Sequence, residues 1–188
     1  MCISPRAPHT AARVALAAQK QARKEARRAK AKAARASREA LDDALGRYVE
    51  FAKRSFPRGQ TLEGVTIVVD CGHGAAYKAT PCVLRELGAD VIVYGNHPDG
   101  TNINAGCGSM HPEQMCHWVQ EHHAHIGIAH DGDADRVLLV DEKGDLVHGD
   151  DLLAICAIAM KRADRLPTDN VVTTVMSNMG LDVVLREY

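Results

Sequence analysis

The run Asp131-Gly132-Asp133-Ala134-Asp135-Arg136 places three carboxylates at alternate positions and follows them with a guanidinium. Three like charges so close are costly unless a cation or several hydrogen-bond donors neutralise them. Carboxylate oxygens are hard ligands, which points to Mg2+ or Ca2+ and away from zinc, with its preference for nitrogen and sulfur. Gly132 and the small Ala134 leave the backbone free to bend, so the carboxylates can converge where a flat strand would splay them. An EF-hand opens with the same D-x-D-x-D and would put Glu142 at its twelfth position, but it needs Gly at the sixth, where this chain has Arg136, and helical flanks. A phosphatase with an aspartyl nucleophile after a strand is a second candidate. A solvated acidic turn is the plainest one. Abutting strands and the adjacent Arg136 weigh toward a working site.

The elements that must position this loop can be read on either side of it. Ile126-Gly127-Ile128-Ala129 is a short strand that delivers the loop at its C-terminal end, and Val137-Leu138-Leu139-Val140 leaves it as another. That end of a strand is where open α/β sheets bind ligands. Upstream, a buried strand at 65–69, the turn Cys71-Gly72-His73-Gly74, a helix over 81–87 and a strand at 91–94 predict a β-α-β crossover with parallel strands. Residues 95–110 are turn-rich, with Pro98-Asp99-Gly100 and Asn102-Ile103-Asn104-Ala105-Gly106. Pro112-Glu113 opens a helix to His122, with Pro and an acid both favourable in a first turn. A tight turn at 142–145 leads into Leu146-Val147. A helix over 151–161, a strand at 171–175 and a helix over 181–188 then start a second unit. One strand cannot bury both faces of its own sheet, so this unit reads as cut short, with apolar helix faces at Leu152, Leu153, Ile155 and Ile158 open to self-association.

The net charge of -1 over 188 residues conceals a split. Residues 1–40 hold eleven Lys/Arg against Glu25 and Glu39, whereas the rest holds twelve against twenty-two acids. Residues 11–40 are mostly good helix formers with little to bury, which predicts a solvated helix. Such an arm is suited to phosphate contacts, but it lacks interleaved aromatics and any groove-reading module, so an appended extension over 1–32 is favoured and nucleic acid is not an expected partner. From Leu41, apolar residues at Leu45, Tyr48, Val49, Phe51 and Ala52 mark one face of an amphipathic helix that Pro57-Arg58-Gly59 ends. The predicted organisation is 1–32, a basic extension; 33–61, an amphipathic helix and linker; 62–147, an α/β domain carrying the acidic loop; and 148–188, an incomplete α/β domain.

Six cysteines lack C-x-x-C pairs and regular spacing, which argues against a zinc ribbon or disulfide scaffold and suits a reducing cytoplasm. No apolar run approaches the roughly 20 residues of a membrane span, and no secretory signal is visible. His73 sits in a glycine-rich turn that reads as structural rather than phosphate-binding. His111, His117, His122, His123 and His125 read as surface histidines. Asn102 and Asn104 are equally suited to lining a cleft or capping turns.

The segment 129–137 resembles the metal loop of the alpha-D-phosphohexomutase superfamily. Gly100-Thr101-Asn102-Ile103-Asn104, Cys107-Gly108-Ser109, His111-Pro112-Glu113, Val69-Asp70-Cys71-Gly72-His73-Gly74-Ala75 and Met176-Ser177-Asn178-Met179-Gly180-Leu181 are similar to bacterial phosphoglucosamine mutase, as is Gly46-Arg47-Tyr48-Val49-Glu50-Phe51. The resemblance implies a three-layer mixed sheet with flanking helices. It also implies interconversion of glucosamine 6-phosphate and glucosamine 1-phosphate through an enzyme phosphoserine, with Mg2+ held by Asp131, Asp133 and Asp135 and Arg136 orienting the phosphate or the carboxylates. Ala134 stands where glycine is frequent. None of the serines at 4, 37, 55, 109 and 177 is followed by His-Asn, as the family's phosphoserine loop requires, and the sugar-binding and C-terminal phosphate loops have no counterpart. The expectation is therefore a stretch covering the end of a first domain, a second domain and the start of a third, without turnover of its own. A non-catalytic binding protein with a basic arm and a metal-dependent phosphatase are the competing readings.

Overall fold

The structure, a computed structural model, describes the backbone of residues 8–188 and the side chains of all of these except 8–19, 22 and 38–42. Residues 1–7 and the Leu41 side chain, which opened the expected amphipathic face, thus lie outside the described set. The chain divides into two compact units between Glu50 and Phe51.

Helix α1 runs from Pro8 to Lys53 without a break, so the expected solvated helix and the amphipathic one are a single element. It ends three residues earlier than the apolar pattern predicts. Pro57 restricts Phe56, and the N–H groups of Arg54, Ser55 and Phe56 turn back to the carbonyls of Phe51, Ala52 and Lys53, tightening the last turn.

The second unit is built on β1 (Thr66–Asp70), α2 (Ala79–Glu86), β2 (Asp90–Tyr94), α3 (Pro112–Glu121), β3 (Ile126–His130), β4 (Val137–Asp141) and β5 (Leu146–Val147). Its sheet has the order β2-β1-β3-β4-β5. β1 pairs in parallel with β2, as the crossover predicts, and on its other side with β3, also in parallel. β4 turns back antiparallel on β3, and β5 on β4, so the sheet is mixed.

Both faces are covered, which explains why β1 is apolar at successive positions instead of alternating with polar residues. On one face Val68, Ala129 and Val140 pack with Met115 and Val119 of α3, and Trp118 stacks on Tyr94 with ring centroids 3.8 Å apart. On the other, Ile67, Val69, Val91, Val93, Ile126 and Ile128 pack with Leu84 of α2. Burying an aliphatic side chain fully is worth about 1.5–3 kcal/mol, and Val68, Val69, Val119 and Val140 are all completely buried. Gly127 admits α3 to the sheet: a Cβ there would stand 2.6 Å from Val119 Cγ2 and 2.7 Å from Met115 Sδ.

Beyond the sheet, α4 (Gly149–Arg162) begins with the His148 N–H donating to Asp151 at 3.1 Å, and α5 (Met179–Glu187) is capped by Asn178, whose side chain accepts from Leu181 N at 3.1 Å. Asn178 N also donates to Asp150 at 2.9 Å, tying the starts of the two helices together. The strand expected at 171–175 does not form. A run of β-branched residues becomes a strand only with a neighbour to take its backbone hydrogen bonds, and among the described residues none pairs with it; Val172 and Val175 are 92% and 101% exposed. Among the described residues no helix is long and apolar enough to cross a membrane.

Candidate metal centre

Strand β3 ends at His130, so Asp131 is the first residue past the sheet. It is buried, and both of its oxygens are engaged by Arg136: the backbone N–H donates to Oδ1 at 3.1 Å and Nε donates to Oδ2 at 2.8 Å. The chain reverses through Ala134, whose N–H returns to the Asp131 carbonyl at 3.1 Å and whose φ of 61° is in the left-handed region. This reversal brings carboxylate oxygens of Asp131, Asp133 and Asp135 within 4.8 Å of one another. The strands and tight turn that flank the loop rule out EF-hand geometry.

Burial raises the Asp131 pKa, but hydrogen bonds from the Arg136 backbone and side chain, with a proton shared from Asp135, outweigh it and hold the carboxyl down to about 2. Asp135 moves up, chiefly through its hydrogen bond with Asp131 and then the Asp133 charge. Asp131 in turn raises the Arg136 guanidinium. Two carboxylates sharing a site divide their protons in this way. With all three ionised, one guanidinium leaves two negative charges uncompensated, the deficit a divalent cation fills. On an octahedral Mg2+ adjacent ligand oxygens stand about 2.9 Å apart and opposite ones about 4.2 Å, so the three carboxylates must draw in from their spread of up to 4.8 Å to close on one ion; the all-oxygen, anionic donor set is of the type that ion takes.

A platform the sequence did not disclose supports the loop. Asp70 ends β1, is 1% exposed, and accepts from Gly72 N at 2.9 Å and from Gly108 N at 2.5 Å. It thereby staples the 101–110 loop to the 71–74 turn. Ala75 N then donates to Gly132 O at 2.8 Å, and a Cβ on Gly74 would overlap the Gly132 backbone. An aspartate before a glycine turn is visible in the sequence; its partner 38 residues later is not.

The other candidates resolve individually. The turn N–H groups of Gly72, His73, Gly74 and Ala75 are all taken, by Asp70, Gly95 O, Cys71 O and Gly132 O, so this turn has none left for a phosphate. Asn102 staples its own loop, accepting from Asp99 N and donating to His97 O. Asn104, at φ 56°, reaches the acidic loop: a Cβ on Gly132 would meet its Nδ2 at 2.9 Å, and its Oδ1 is buried without a partner. His130 bonds Thr80 through Nε2 at 3.1 Å, and burial lowers its pKa. His117 faces Glu121, His122 bonds the Tyr94 hydroxyl and His125 accepts from Thr66 N, so these histidines do not converge.

The site is thus a carboxylate triad with an arginine counter-ion at the end of a strand, in a mixed sheet covered by helices on both faces. A solved phosphoglucomutase/phosphomannomutase family protein from Burkholderia thailandensis is similar, with TM-score 0.54 and 26% identity over 63% of this chain and 26% of that one. Residues 46–144 match the family described as phosphoglucomutase/phosphomannomutase, alpha/beta/alpha domain II, and residues 148–188 match its domain III; the chain belongs to this family. Phosphoglucosamine mutases from Magnetococcus marinus and Syntrophotalea carbinolica are 59% and 56% identical over 145 and 146 residues, or 77% and 78% of this chain and 30% and 32% of theirs. The chain spans about a third of the length of the curated relatives it matches.

Proposed function

We propose that this chain is the metal-holding part of a phosphoglucosamine mutase, which interconverts glucosamine 6-phosphate and glucosamine 1-phosphate for amino-sugar synthesis. The observation that carries the reading is the convergence of Asp131, Asp133 and Asp135 within 4.8 Å at the end of β3, in a chain up to 59% identical to enzymes of that name. Mg2+, when bound, offsets negative charge on a phosphoryl group in transfer. Asp131, Asp133 and Asp135 hold it, Arg136 fixes the Asp131 carboxylate and orients the phosphate, and the Asp70 platform keeps the loop in place. None of the serines has the His-Asn neighbours that the resemblance asks of a phosphoserine, which supports a chain that binds the cation without turning over the phosphosugar by itself.

The adjoining family matches at 46–144 and 148–188 support a domain boundary near 147. Exposed Val172, Val175, Met176 and Met179 support self-association through 148–188. Cys71, Cys82, Cys107, Cys116 and Cys156 are unpaired, which supports a cytoplasmic setting.

Isothermal titration tests the proposal. The parent is expected to bind one Mg2+, and Asp133→Ala to lose at least about tenfold in affinity as one of three anionic ligands goes. Equal affinity would reduce the loop to an acidic turn, and conversion of phosphosugar by the purified chain would overturn its division from the catalytic serine.

A further inference from the structure

We propose that the 20–35 stretch of α1 is a docking face for the phosphate backbone of double-stranded nucleic acid, a binding activity separate from the mutase reading. Lys20, Arg23, Lys24, Arg27 and Arg28 recur at spacings of three and four within one uninterrupted helix, which stacks them on one side. With Ala31 they border one groove of its surface. Lys30, Lys32 and Arg35 extend the arc, whereas Ala26, Ala29, Ala33 and Ala36 fall on the opposite side at about 3.6 residues per turn. Composition alone reads as an appended extension; the common phase of the charges is what the structure adds.

All of these basic residues are exposed. The one acid among them, Glu25, accepts from Gln21 Nε2 at 2.8 Å. Among the described residues Lys20, Arg23, Lys24, Arg27, Arg28, Lys30 and Lys32 have no carboxylate partner. Over about 18 Å of helix this leaves about one net positive charge per 3 Å, comparable with the one phosphate per about 1.7 Å along duplex DNA. Lys20 and Lys24, Arg23 and Arg27, and Lys24 and Arg28 repel one another at i,i+4. A polyanion removes that repulsion and gains by releasing its own counterions.

The side chains also choose among polyanions. A helix that lies in a bilayer surface carries Leu, Phe or Trp opposite its charges; here that side carries alanine. Residues 20–35 include no aromatic side chain to stack on unpaired bases. Contact is therefore with phosphates, and it is independent of sequence.

The test is fluorescence anisotropy of the full chain on a labelled duplex of about 20 base pairs, titrated between about 50 and 200 mM salt. The comparison variant combines Lys20→Gln, Arg23→Gln, Lys24→Gln, Arg27→Gln and Arg28→Gln, which preserves helix propensity. The parent is expected to bind with a log-log salt slope of about -4 to -6, and the variant to lose at least about tenfold at low salt with the slope flattened by about 3 to 5. A second variant, Ala26→Gln with Ala29→Gln, keeps the charges and is expected to bind as the parent does. Absence of parent binding at low salt, equal binding by the neutralised variant, loss of binding in the alanine-side variant, or tighter binding to phosphatidylglycerol vesicles than to the duplex would each overturn the proposal.

Discussion

The acidic loop and the basic stretch of α1 both concentrate like charge, and they accommodate it in opposite ways. At the loop, Asp131 is buried with a donor on each oxygen, and the neighbouring Asp70 is buried with two backbone donors of its own. On α1, Lys20 to Lys32 stand in water without carboxylate partners. Buried charge is bound into the architecture, because removing one member strands the others. Solvated charge is free to meet a partner, because the fold does not rest on it.

The largest expected effect is therefore at Asp70. Asp70→Ala leaves the Gly72 and Gly108 N–H groups buried without acceptors and should destabilise the sheet domain by about 2–4 kcal/mol in urea unfolding. By contrast, neutralising the five α1 cations should leave the urea midpoint of that domain where it is. A large shift from the α1 variant, or none from Asp70→Ala, would erase the distinction between the two regions. Next in size is Gly127→Ala, whose methyl meets Val119 and Met115 and should cost about 1–3 kcal/mol by overpacking α3 against the sheet.

The pH dependence sharpens the contrast. Burial raises the Asp131 pKa and Arg136 more than reverses this, holding it down to about 2, below the ordinary 3.8. A depressed folded-state pKa stabilises above the unfolded value and loses that contribution as pH falls through the folded one. Asp135, shifted up by its bond to Asp131, acts in the opposite sense, its protonated form being favoured on folding. In the presence of a chelator, the urea-midpoint gap between the parent and Asp131→Asn should hold steady above about pH 4 and close between about pH 4 and 2. A gap independent of pH would mean that Arg136 does not hold Asp131 ionised.

The smallest effect is expected at Ala134. Its left-handed backbone costs an alanine roughly 1–2 kcal/mol, partly offset in Ala134→Gly by the greater freedom of an unfolded glycine. A net stabilisation of about 0.5 kcal/mol is expected from thermal unfolding, and a loss of stability would contradict the turn geometry.

What the sequence disclosed follows from how local each signal is. The strands of the β1-α2-β2 crossover and the two around the acidic loop lie within a residue of where their apolar runs place them, because strands buried on both faces must be apolar at successive positions. The triad itself is written in six adjacent residues. Asp70 carries no comparable signal: its importance rests on Gly108, and only folding brings them together. Asn104 is equally opaque, since capping a turn and approaching Gly132 ask for the same residue type. At 171–175 a local signal misled, because Val-Val-Thr-Thr-Val has the propensity for a strand while pairing depends on a neighbour outside that run.

Binding of Mn2+, a paramagnetic stand-in for Mg2+, observed by nuclear magnetic resonance would test the central claim most directly. Amide signals of residues 131–136 should broaden first, followed by those of Gly74 and Ala75 beneath them, and all should recover when excess Mg2+ is added. Broadening centred on His117 and His122, or no site-specific broadening, would contradict the claim that three aspartates at the end of β3 gather one hard cation.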